Sequence, residues 1–141
     1  MIAAVSRWLF DTDHVSLHER GHLTLRSRLE TAPPESIAVS VVTVEEMIRG
    51  RLGVLARRAE GQARVHAYGK FLETVLFFGS IPVVPFDAAC EAKFQELRAL
   101  RRRTDLRIAA TAIVNDLILV TRNQKDYAQL PGLRFEDWSQ P

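Results

Sequence analysis

The sequence predicts an α/β fold in which a mainly parallel sheet of four to five strands is covered by helices on both faces. Three observations predict it. Short aliphatic and β-branched runs alternate along the whole chain with stretches of helical periodicity. The runs are apolar throughout rather than alternating, as strands covered on both faces are. No internal repeat, low-complexity tract or linker interrupts the 141 residues, so a single domain spanning 1–141 is expected.

Trp8-Leu9-Phe10 is the first strand, and it ends abruptly in Asp11-Thr12-Asp13. Asp13 is expected to cap a helix that begins near His14 and buries Val15 and Leu17. Leu23, Leu25 and Leu29 predict a second short helix, closed by Ala32-Pro33-Pro34 because proline cannot continue one. Ile37 to Val42 is rich in β-branched residues and reads as the second strand. A helix is expected from Thr43, with Val44, Met47, Ile48 and Leu55 on its inner side and Gly50 and Gly53 weakening its middle.

Between Gly61 and Phe78, the residues Val65, Tyr68, Phe71, Leu72, Val75 and Leu76 fall at helical spacing, the clearest amphipathic pattern in the chain. Gly79 ends that helix. Ile81 to Phe86 is a short third strand whose prolines suit a sheet edge or a strand terminus. Asp87 caps a helix with Cys90, Phe94 and Leu97 on one face. Leu106 to Val114 is a compact apolar helix to be buried on most sides. Leu117 to Thr121 is the fourth strand, and Leu133 to Phe135 adds a fifth at an edge before Trp138.

Composition excludes several classes. At 47% hydrophobic and 26% charged residues, the chain can build a core and is not a disordered tail. Its longest apolar runs are too short to span a bilayer, and Met1 to Arg7 lacks the apolar stretch of a secretory signal, so no membrane association is expected. The lone Cys90 cannot form an internal disulfide, and a cytoplasmic location is expected. Net charge is only +2, but every basic residue other than Lys70, Lys93 and Lys125 is arginine, the side chain suited to bidentate phosphate contacts. Arg101-Arg102-Arg103 and the group Arg49, Arg51, Arg57 and Arg58 suit a nucleic-acid partner or solvated helix faces.

A carboxylate at the carboxyl end of a buried strand sits where open α/β sheets place their ligands. Burying Asp11 there is costly unless a cation or several donors compensate. Glu46 in the first turn of the helix after the second strand, and Asn123 and Asp126 after the fourth, share that sheet edge by topology. Asp105 begins a helix before its strand, so topology alone does not place it. Each also has a capping explanation: Thr43-Val44-Glu45-Glu46 matches a capping box, and Asp105, Asp13 and Asn123 are good N-cap residues. Asp11 ends a strand and reads as a site residue rather than a cap. Oxygen ligands without cysteine or histidine suit magnesium or manganese. His14, His18, His22 and His66 are scattered; His14 and His18 lie at the helical i, i+4 spacing of a zinc pair, but no HExxH pattern accompanies them, and surface histidines are expected. No phosphate-binding glycine loop and no GxSxG motif is present.

These segments resemble the PIN-domain family, and within it the VapC toxins. Trp8-Leu9-Phe10-Asp11-Thr12-Asp13 is similar to the family's opening motif, and Ser40 to Gly50, containing Glu46, to its second. Asp105 to Ala110 resembles the third motif, Leu119 to Tyr127 the fourth, and Leu130 to Trp138 the tail common among the toxins. The resemblance covers nearly the whole chain in order. It implies a PIN-like three-layer α/β/α domain and maps Asp11, Glu46 and Asp105 onto an acidic triad, with Asn123 at the fourth position and Asp126 beside it. It places Asp105 next to the end of the first strand. The sequence departs from the family in a shortened loop, with Arg101 to Thr104 running almost directly into Asp105.

The resemblance implies an endoribonuclease dependent on Mg2+ or Mn2+. Asp11 and Asp105 would bind metal, Glu46 would complete the site, and the metal would activate the water that attacks an RNA phosphodiester. Thr12 and Thr121 would orient the carboxylates, and Arg101 to Arg103 and Arg122 would hold phosphates. A homodimer and a cognate antitoxin are implied as partners. Two rival readings are a catalytically impaired PIN-like module that binds RNA or protein, suggested by Asn123 and the short loop, and a phosphatase of the haloacid dehalogenase type, suggested by Asp11-Thr12-Asp13. Against the phosphatase, Asp13 is followed by His14 rather than the usual threonine.

Overall fold

A computed structural model describes residues 6–33, 35–57, 60–100 and 105–141. Among these, strands and helices alternate as β1 (Trp8–Phe10), α1 (Thr12–Glu19), α2 (Leu23–Thr31), β2 (Ile37–Ser40), α3 (Val41–Ala56), α4 (Gln62–Gly79), β3 (Val83–Val84), α5 (Ala88–Leu100), α6 (Leu106–Val114), β4 (Ile118–Val120), α7 (Gln124–Tyr127) and β5 (Phe135–Glu136). The strands form a five-stranded sheet in the order β3-β2-β1-β4-β5, with every pair parallel. The proline-flanked β3 lies at one edge and β5 at the other, as the sequence predicts.

Period-two alternation sends successive strand residues to opposite faces. Leu9, Ala38 and Leu119 pack on one side with Leu97, Leu106, Ala109 and Tyr127 from α5, α6 and α7. Phe10, Val39 and Val120 pack on the other with Val15, Leu25, Met47 and Phe78 from the first four helices, and with Trp138. The result is a three-layer α/β/α arrangement. Each fully buried aliphatic side chain contributes about 1.5–3 kcal/mol, so strands of two to four residues suffice because both of their faces are covered.

Several boundaries differ from expectation. Helix α1 begins at Thr12, and its N-cap is Asp11 rather than Asp13: Asp11 keeps an extended backbone, and its side chain accepts from the His14 amide. Strand β2 stops at Ser40, whose hydroxyl caps α3 by accepting from the Val42 amide at 3.0 Å. Val41 and Val42 therefore turn into helix although their β-branched side chains favour strand, and α3 starts two residues before Thr43. It runs through both Gly50 and Gly53.

The largest correction concerns α4. The stripe of Val65, Tyr68, Leu72, Val75 and Leu76 is exposed, and α4 instead packs inward through Ala67, Thr74 and Phe78. The choice of face follows a polar anchor: Arg51 on α3 donates to both Thr74 Oγ1 and Glu19, and Thr74 also donates to Glu19. Such a network is satisfied in only one rotation of α4. Among the described residues, no helix is long and apolar enough to cross a membrane.

Candidate functional site

The sheet order puts the topological switch between β1 and β4, the crevice where open α/β sheets bind ligands. Asp11 lies there, 5% exposed, with its amide donating to Val120 O. A cleft of about 240 Å³ opens at this edge, lined by Asp11, Thr12, Asp13, Glu46, Asp105, Ile108, Asn123, Asp126 and Tyr127. The structure thus gathers every predicted site residue, Asp11, Glu46, Asp105 and Asn123, around one concavity. Asp105 joins them as the N-cap residue of α6, which packs on the sheet face that carries Leu9 and Leu119.

Each carboxylate is held differently. Asp11 Oδ1 accepts from the His14 amide at 2.8 Å and lies 3.3 Å from His14 Nδ1. Glu46 sits in the second turn of α3, too far along for a capping box. Its Oε1 instead accepts from Thr12 Oγ1 at 2.7 Å, so the predicted orienting role of Thr12 corresponds to a contact with Glu46. Asp105 caps α6 and accepts with Oδ1 from the amide and Nε of Arg107, at 3.1 and 3.2 Å. Its Oδ2 is buried and has no hydrogen-bond partner among the described residues. Asn123 occupies the N-cap position of α7 without a side-chain cap bond, while Thr121 Oγ1 accepts from its amide at 3.0 Å.

Burial and mutual repulsion shift the ionisable groups that line the cleft. Glu46 is pushed above its ordinary value, first by burial and then by the neighbouring Asp105, with the Thr12 hydrogen bond and Arg107 opposing. Tyr127 is driven further from ionisation, mainly by burial and then by Asp11, Asp105, Asp126 and Glu46. Tyr127 was not singled out from the sequence as part of the site. Its place directly after Asp126 in a short helix, facing back to the core, was the available signal.

This donor set fits a hard divalent cation: Asp11, Glu46 and Asp105 offer carboxylate oxygens, and among the described residues one buried oxygen of Asp105 has no hydrogen-bond partner. Among the described residues, the tightest set of ligand atoms, all within 4.8 Å of one another, belongs to Asp11, Asp13 and His14. That set is less available than its spacing implies. Asp13 is clamped by Arg122, whose Nε and terminal nitrogen donate to its two oxygens at 2.6 and 3.0 Å, and His14 is wholly buried. Asp11, Glu46 and Asp105 line the cleft without closing to that spacing, which suits a cation that keeps several waters.

The histidine expectation is corrected in part. His66 is exposed, but His14 lies at 0% exposure, and burial and Arg26 lower the pKa of His18. Arginine placement is also more specific than composition suggested. Arg49 pairs with Glu45, Arg51 with Glu19 and Arg122 with Asp13. Arg58 and the Arg101 to Arg103 run, with the short loop before Asp105, lie outside the described residues.

Comparison with known proteins bears on the family and the fold. A family model described as the PIN domain matches residues 9–133. A relative from Rickettsia felis, described as Ribonuclease VapC2, is 25% identical over 114 residues, covering 76% of this chain and 78% of its own. A toxin–antitoxin complex from Klebsiella pneumoniae contains a chain that is 26% identical and superposes with a TM-score of 0.67, over 89% of this chain and 93% of that one. A DNA-bound VapBC structure from Salmonella typhimurium is 20% identical with a TM-score of 0.74, over 94% and 98% of the two chains, and bears on the fold alone.

Proposed function

The chain belongs to the PIN domain family, and from that membership we propose that it is a metal-dependent endoribonuclease, the toxin of a toxin–antitoxin pair. The single observation that carries this reading is the convergence of Asp11, Glu46 and Asp105, from three separate elements, on one cleft at the sheet's switch point. The ribonuclease relative and the toxin–antitoxin structure support it.

Asp11 and Asp105 would hold the cation, Mg2+ or Mn2+, with Glu46 completing the site directly or through water. Such a cation supplies charge for the developing phosphoryl oxyanion and acidifies the attacking water. The protein's own residues do the positioning. The cap at α1 fixes one oxygen of Asp11, Thr12 orients Glu46, and Thr121 shapes the turn that presents Asn123. Asn123 contributes an amide where a fourth carboxylate would add repulsion. Arg122, held by Asp13 at the rim, supplies positive charge near an entering RNA strand.

The exposed apolar stripe on α4 supports protein partners, since contiguous apolar surface of this kind marks interaction sites. A cognate antitoxin and a second copy of the chain are the expected occupants. The test incubates the purified chain with structured RNA and Mg2+, with and without EDTA, alongside Asp11→Asn. Cleavage that depends on metal and is lost in the variant is expected. Cleavage that survives EDTA, or persists in Asp11→Asn, overturns the metal mechanism.

A further inference from the structure

His14 is an imidazole in a place built for hydrocarbon. It is fully buried on α1, its ring meets Phe10 edge-on at 5.7 Å, and its Nε2 is buried with no hydrogen-bond partner among the described residues. Burying an unsatisfied polar atom is costly, and an aliphatic residue would fill such a space without that penalty. What the imidazole has that a leucine lacks is carboxylate on both sides. Nδ1 stands 3.3 Å from Asp11 Oδ1, and Nε2 stands 3.6 Å from Asp137 Oδ1. Asp137 is itself fixed, because the amide and hydroxyl of Ser139 donate to that same oxygen at 2.8 and 2.6 Å. It lies beyond residue 133, where the family match ends.

We propose that His14, packed on its far side against Asp137, is a positioning residue for Asp11: it holds Oδ1 against the start of α1 and leaves Oδ2 to the cleft for a divalent cation. The inference rests on the reading above, in which Asp11 is a cation ligand. A single cap bond restrains one oxygen but leaves the carboxylate plane free to swing about it. The ring, in the tautomer that carries its proton on Nδ1, adds a second donor to the same oxygen from another direction and narrows that swing. Loss of groups that orient metal-ligating side chains typically costs about 10–100-fold in metal affinity. The C-terminal segment thereby becomes part of the site's support although it contributes no residue to the cleft.

The experiment measures Mn2+ binding to the full chain by paramagnetic resonance, with thermal unfolding of each metal-free variant recorded in parallel. His14→Gln, whose longer amide addresses Asp137 and abandons Asp11, is expected to weaken Mn2+ binding by about tenfold or more. His14→Asn, whose amide reaches the position of Nδ1, is expected to recover most of that loss. Asp137→Asn is expected to weaken binding by a few fold, and it decides the matter if the His14 variants do not fold. Wild-type affinity in His14→Gln or in Asp137→Asn, while Asp11→Asn has lost the ion, overturns the positioning role alone. Wild-type affinity in Asp11→Asn itself overturns the metal-site reading beneath it.

Discussion

Thr12 Oγ1 donates a 2.7 Å hydrogen bond to Glu46 Oε1 across 34 residues of chain. The contact joins the first turn of α1 to the second turn of α3 and accounts for the direction of the Glu46 side chain. It also opposes the burial that raises this carboxyl's proton affinity.

Thr12→Val keeps the shape of the side chain and removes the donor. Glu46 then loses its main stabilising hydrogen bond, and its pKa rises further. The acid limb of the kcat/KM profile for RNA cleavage is expected to move to higher pH, and Thr12→Ser is expected to restore it. An unmoved limb in Thr12→Val would show that ionised Glu46 does not govern the reaction.

Glu46→Gln separates stability from activity. A carboxyl whose folded pKa lies above its ordinary value of 4.5 is harmless to the fold below that pH, where it is protonated folded and unfolded alike. Its penalty grows as pH rises through the folded pKa and is complete above it. The amide is therefore expected to raise Tm at pH 7 by a few degrees, to give no gain below about pH 4.5, and to lower cleavage. A Tm advantage that is largest in acid would contradict the sign.

Asp11 serves as both helix cap and cleft carboxylate, and two variants tell these roles apart. Asparagine is an equally good N-cap, so Asp11→Asn is expected to melt close to the wild type while losing cleavage. Asp11→Ala loses the cap as well and is expected to cost about 1 kcal/mol in denaturant unfolding. Equal stability of the two variants would show that the cap carries little.

Trp138 closes the far face of the sheet. Its ring is 2% exposed, lies 5.2 Å from Trp8 and 5.4 Å from Phe10, and its indole donates to Glu136. Trp138→Ala is expected to cost about 3–5 kcal/mol, a large share of a typical domain's stability. A loss below about 1 kcal/mol in urea unfolding would mean that the tail is loosely held.

Much of the fold was legible because local chemistry and tertiary structure agree. The apolar runs at Trp8–Phe10 and Ile118–Val120 have no polar side chains to place, so only a strand covered on both faces accommodates them. Leu106–Val114 was read to the residue, since Asp105 caps it and nearly every side chain that follows is apolar. Val41 and Val42 misled because their strand preference is worth less than the Ser40 cap and the burial of Val42 and Thr43. The stripe on α4 misled for a different reason. Periodicity shows that a helix has two faces but not which one meets the core, and the polar contacts of Thr74 decide it.

By itself, then, the sequence determined an alternating α/β chain, an acidic residue at the end of its first strand, and the residues whose elements bring them to the same edge. Those features follow from side-chain polarity and strand–helix order, which are local or topological. Only the tertiary structure decided that Asp11 caps α1, that Glu46 answers to Thr12 rather than to its own helix, that one oxygen of Asp105 has no partner among the described residues, and that His14 lies buried between two carboxylates. Each depends on distances between residues far apart in the chain, and such distances are set by packing, which no local pattern encodes.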